Sequence, residues 1–125
     1  MIAYKLIRVR KDGTLSPLFI NRSIDIEIDR WYEAENVPTN GFAVRPGWHC
    51  TALPCAPHLK KEPKNETREW FEVEIEDYVA YKRPENQGGT WYLAQMMRVV
   101  RQLSETEIKV INKQGSLACE TTDAS

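Results

Sequence analysis

No stretch of the chain comes near the ~18 to 20 consecutive apolar residues that a membrane-spanning helix needs. Residues 1–10 alternate charged and apolar side chains where a signal peptide would carry an apolar core. The expectation is a cytoplasmic protein with no membrane partner. An excess of one charge is missing as well: 17 basic and 18 acidic residues leave a net charge of −1. No global field therefore draws in a polyanion, and extended nucleic acid is set aside as a partner. Cysteine is scarce and odd in number. Cys50, Cys55 and Cys119, in a chain large enough to fold without staples, argue against a secreted disulfide framework. The Gly-x-Ser-x-Gly elbow, the Walker loop, the dinucleotide glycine fingerprint and His-Glu-x-x-His are all absent from the sequence, which removes the enzyme classes they mark.

What is present is ordinary globular material. Of the 125 residues, 42% are hydrophobic and 28% charged, enough apolar content for one core and too little length for two. Residues 1–114 are expected to form a single domain, with the small polar residues 115–125 as a tail. Residues 2–9 and 15–20, joined by Lys11-Asp12-Gly13-Thr14, read as an opening β-hairpin. In residues 23–29, Ile24, Ile26 and Ile28 alternate with Asp25, Glu27 and Asp29, the clearest half-buried strand pattern in the chain. Residues 36–41 read as a loop, and residues 42–44 and 48–53 as short extended pieces. Pro54, Pro57 and Pro63 forbid a long helix or a central strand after them.

Alternation resumes at Trp70, Val73 and Ile75, a turn-rich loop covers residues 83–89, and residues 90–103 read as a closing strand. Ser104-Glu105-Thr106-Glu107 matches a helix-capping box, whereas Glu107-Ile108-Lys109-Val110-Ile111 also reads as a strand; both remain open. The short connections and strand count predict an α+β, mostly β domain. It should hold a mixed or antiparallel sheet of about five to seven strands and at most one or two short helices. Parallel βαβ architecture is disfavoured.

Chemistry concentrates in residues 47–58, where Gly47-Trp48-His49-Cys50-Thr51 precedes Pro54-Cys55-Ala56-Pro57-His58. Cys50, Cys55, His58 and His49 are a conceivable zinc set, but His49 and Cys50 are neighbours that would face opposite sides of a strand. Cys50 and Cys55 are better read as small buried hydrophobes, and neither a metal nor any other cofactor is expected. The same opposition disfavours a nucleophile–base pair made of Cys50 and His49. In Gly47 to Thr51, a glycine allows a sharp turn, Trp48 walls a site, and His49, with an ordinary pKa of about 6.5, can donate or accept. The competing reading is a structural His49 bonded to backbone. Tyr78, Tyr81, Lys82 and Arg83 form an aromatic and basic group able to stack on a base or anchor a protein, although ordinary strand residues with solvated Lys82 and Arg83 are the favoured reading.

Gly41-Phe42-Ala43 running into Gly47-Trp48-His49-Cys50-Thr51, followed by residues 69–76 and 91–101, resembles small uncharacterised proteins of phages and prophages. The resemblance covers roughly residues 40–103 and implies a phage or mobile-element origin. An opening strand with a basic residue, a Gly-aromatic turn into a strand and short connection, and then a Val-Glu-Val strand are together similar to the split sheet of ADP-ribosyltransferase-like domains, which implies a pocket for a nicotinamide dinucleotide or another nucleotide lined by Arg8 or Arg10, His49 and Thr51. Two departures count against it: no Ser-Thr-Ser element is present, and Gln95 stands where a catalytic glutamate would be sought.

The reading that follows is a small phage-type accessory or interaction module, leaning away from an enzyme. It binds a host protein or small nucleotide, for instance to inhibit host defence, through Trp48, His49, Thr51, Arg8, Arg10 and Tyr81. The alternatives are an ADP-ribosyltransferase-like enzyme and a zinc-binding structural domain.

Overall fold

The computed structural model describes residues 1–18, 24–34, 47–56, 59, 66–87 and 89–115. Six strands follow in chain order: β1 (Ile2–Val9), β2 (Leu15–Ser16), β3 (Trp31–Glu33), β4 (Trp48–Thr51), β5 (Thr67–Lys82) and β6 (Thr90–Gln102), then helix α1 (Glu105–Gln114). All strand pairings are antiparallel. The fold is thus mostly β with one short helix and a six-stranded antiparallel sheet, as its composition and alternation predict.

The pairings close on themselves. β1 pairs with β5, β5 with β6, β6 with β4, and β4 returns to β1 through Tyr4 opposite Thr51. Closure satisfies backbone groups that open edges would expose. The ring encloses one core, including Ala3, Ile7, Cys50, Phe71, Val73, Met97 and Val99. A second core lies on the outer side of β1 and β5, where Leu6, Trp70, Trp91 and Leu103 meet Ile108 and Ile111 of α1. Both faces of β1 are therefore covered, which explains why Ala3 and Ile7 are as buried as Leu6.

A corner in the ring comes from β6 changing partners. It lies beside β4 as far as Ala94 and beside β3 over residues 96–98. Ala94 and Met97, three residues apart, both reach the inner core, which a straight strand of period two forbids. Across the ladder, between Glu76 and Tyr78, Asp77 takes the left-handed conformation with φ 53°. The bend is thus shared by both strands.

The opening hairpin forms as expected, with Val9 opposite Leu15 and Gly13 turning at φ 88°, although its second strand has only two residues. Residues 24–29 differ from expectation. Ile26 is buried at 4% exposure, but Ile28 is 50% exposed, and the segment makes only two isolated bridges. It meets Leu15 in antiparallel sense at Ile26 and Val99 in parallel sense at Ile28, then turns at Asp29 with φ 66°. The alternation marks a chain crossing from one strand to another, so only one isoleucine reaches the core.

At residues 104–113 the capping box wins over β propensity. Ser104 Oγ accepts from the Glu107 backbone N–H, the Glu107 carboxylate accepts from that of Ser104, and α1 begins at Glu105. Asn112 holds the helix down by donating to the Pro54 carbonyl at 3.2 Å. The expected loop at 36–41, the extended piece at 42–44 and the tail beyond residue 115 lie outside the described residues.

Candidate functional site

The two-residue period of β4 divides the predicted site between two faces. Trp48 and Cys50 face the inner core, and His49 and Thr51 turn away from it. Gly47 precedes them at φ 145°, and a Cβ there would come within 2.7 Å of Leu93 Cδ1. A glycine is required by conformation and by space alike. Trp48 is fixed by donating Nε1 to the Tyr32 carbonyl at 3.1 Å and by meeting the Tyr32 ring edge-on, 6.5 Å between centres.

His49 and Tyr81 are brought together. His49 Nδ1 lies 2.9 Å from the Tyr81 hydroxyl, and the rings meet at 87°. Tyr81 continues onto Trp91, over whose ring the Arg83 guanidinium lies 5.1 Å from the centre. His49, Tyr81, Trp91 and Arg83 thus form one strip on the outer face. Thr51 has a different role: it is buried, and its hydroxyl donates to the Tyr4 carbonyl at 3.2 Å, fastening the closing seam.

Arg8 and Arg10 are held elsewhere. Arg8 pairs with Glu66 at 3.9 Å, while Arg10 reaches Asp25, the Thr14 hydroxyl and the Ile24 carbonyl. Their described partners tie the first hairpin to neighbouring segments. Cys55 departs from the reading of a free buried thiol, since it is buried at 1% exposure but disulfide-bonded. A cysteine in a disulfide is not a thiolate ligand, which removes it from the conceivable zinc set. Cys50 is free, buried within the ring, and its thiol is pushed up to about 11 by that burial. His58 lies outside the described residues.

Two features carry little signal in the sequence. Lys5 sits on the inward face of β1, its Nζ donating to the His49 carbonyl at 2.8 Å and lying 5.9 Å from the Trp48 ring centre. A lysine within an alternating strand reads as solvent-facing, so only knowledge that both faces of β1 are covered singles it out. The second is the far half of β5. Over residues 71–74 it is paired with both β1 and β6, and from Glu76 onward, among the described strands, with β6 alone.

The change in burial along β5 is abrupt. Residues 76–80 are exposed in unbroken succession, with Tyr78 at 41% and Val79 at 62%. Arg83 donates to the Gly89 carbonyl across the hairpin, so in a regular antiparallel ladder Tyr81 and Val79 also bond towards β6. Lys82, Ala80 and Tyr78 then present their backbone N–H and C=O groups outward, where no described strand meets them. Tyr78 is steadied by an edge-on contact with Tyr92 at 5.5 Å.

Comparison with family models, with characterised proteins and with solved structures finds no match to this chain.

Proposed function

We propose that the protein is a small interaction module that captures an extended segment of a partner protein along the outer edge of β5. The observation that carries this reading is the open half of that strand, where outward backbone groups run beside exposed Tyr78 and Val79. An added strand would find main-chain donors and acceptors for affinity and alternating side-chain contacts for selectivity. Glu76 and Asp77 at one end and Lys82 at the other give the edge a charge polarity that fixes the direction of the incoming segment.

The strip of His49, Tyr81, Trp91 and Arg83 adjoins this edge through Tyr81 and offers further aromatic and basic contacts. An accessory protein of phage or mobile-element origin, acting on a host protein in the host cytoplasm, fits the reading. A protein segment is favoured over a nucleotide because the edge offers backbone groups and apolar side chains more than phosphate-binding charge.

Photo-crosslinking tests the proposal. A benzophenone amino acid at position 79, expressed in a host cell, should give a discrete partner adduct. The same probe at Lys109, exposed on α1, should not. Ala80→Pro removes one outward N–H while sparing the β5–β6 ladder, and should abolish the adduct without unfolding the chain. An adduct that persists in Ala80→Pro, or forms equally from position 109, contradicts the proposal.

A further inference from the structure

The interior of the ring holds a lysine whose charge no described carboxylate neutralises. Lys5 shares its face of β1 with Ala3 and Ile7, both fully buried, and lies opposite Phe71 on β5. Among the described residues its Nζ has one hydrogen-bond acceptor, the His49 carbonyl at 2.8 Å, and one ring, Trp48 at 5.9 Å. No described carboxylate pairs with it.

An ammonium carries three protons, and the carbonyl takes one. The nearby acids are engaged elsewhere: Glu72 with Arg101 at 3.4 Å and Glu74 with Arg98 at 2.7 Å. Cys50 is the neighbour that could supply an anion, but burial keeps its thiol protonated at neutral pH. Burial likewise lowers the Lys5 amine below the ordinary lysine range. A half-buried ammonium with no counter-charge among the described residues is costly unless an anion completes it.

The location is the seam where the ring closes. Ala52 donates to the Thr90 carbonyl, so by alternation Cys50 and Trp48 bond towards β6 while Thr51 and His49 present their backbone towards β1. The two strands are in register only at Tyr4 and Thr51. One step on, the His49 carbonyl is met by the Lys5 side chain, and no further pairing of β1 with β4 is described there.

We propose that Lys5 anchors a small-molecule site at this seam, taking a carboxylate whose apolar part lies on the Trp48 ring. The two remaining ammonium protons suit the oxygens of one carboxylate, and the ring of Trp48, held by its bond to Tyr32, is a flat apolar wall beside them. The site lies apart from the open edge of β5 and does not depend on it.

Carbon-13 NMR of the full-length labelled protein tests this with benzoate, acetate, inorganic phosphate and chloride at matched ionic strength. Benzoate should shift the Lys5 Cε resonance saturably, acetate more weakly, and chloride not at all. Saturating benzoate should also raise the melting temperature by roughly 5 °C in the wild type, with no rise in Lys5→Met. A shift that stays linear, one that chloride reproduces, saturation by phosphate in place of benzoate, or an equal thermal response in Lys5→Met overturns the proposal. If Lys5→Met does not fold, the wild-type titration decides alone.

Discussion

The two halves of β5 are one continuous strand in two environments. From Trp70 to Ile75 it runs between β1 and β6, with Phe71, Val73 and Ile75 at 1% exposure or less. From Glu76 onward β1 has ended, β6 continues, and exposure rises at once to 62% at Val79. The residue types do not account for the change, since Tyr78, Val79 and Tyr81 favour a strand as much as the residues before them. What differs is how many described strands flank each half. A strand half with two neighbours and two cores is committed to stability, and one with a single neighbour has hydrogen-bonding capacity left for a partner.

The largest expected effect contrasts the halves directly. Phe71→Ala should cost about 3 to 5 kcal/mol, because it leaves a cavity in the closed part of the ring. Val79→Ala should stay within about 0.5 kcal/mol, because the side chain is 62% exposed. Denaturant melts of both variants check the contrast, and comparable losses would mean that the far half is packed too.

A smaller contrast sharpens the same point at residues 24–29, where pattern and burial part company. Ile26→Ala should cost about 2 to 5 kcal/mol, and Ile28→Ala close to nothing. Equal losses would restore the simple strand that the alternation suggests.

The smallest effect concerns the cap of α1. Glu107 has its carboxyl held below the ordinary 4.5 first by the Ser104 backbone N–H and then by Arg101. Its folded pKa is depressed, so its contribution is present above the unfolded value and is lost as pH falls through the folded one. Glu107→Gln should therefore flatten the acid limb of the stability profile below about pH 4.5 and leave the profile above pH 6 parallel to wild type. Thermal melts across that range read it. Ser104→Ala should cost about 1 kcal/mol at neutral pH.

Much of the fold was legible because local rules and tertiary packing agreed. The Gly13 turn, the alternation around Val73 and Ile75, and the reciprocal cap of Ser104 and Glu107 each carry their own physical reason in adjacent residues. The failures are non-local. Nothing near Ile28 announces that its partner is Val99 in a parallel bridge, and nothing near Lys5 announces that the face beside Ala3 is enclosed by a ring closed through Thr51.

The residues singled out from the sequence fall into separate places in the fold. His49 and Tyr81 do meet, at 2.9 Å, while Thr51 fastens the seam and Arg8 and Arg10 serve the first hairpin. Residue type identifies hydrogen-bonding capacity, but only the closure of the sheet decides whether that capacity is spent within the fold. Val79 shows the converse: its sequence context reads as ordinary strand, and its exposure follows from where β1 stops.

Amide hydrogen exchange along β5 tests the central claim most directly. Residues 71–75 should exchange only through global opening, Val79 and Tyr81 should be protected by their bonds to β6, and Tyr78, Ala80 and Lys82 should exchange orders of magnitude faster. Uniform protection from Phe71 to Lys82 would mean that the outer edge is already covered within the free protein, and would contradict the open edge on which the proposed docking rests.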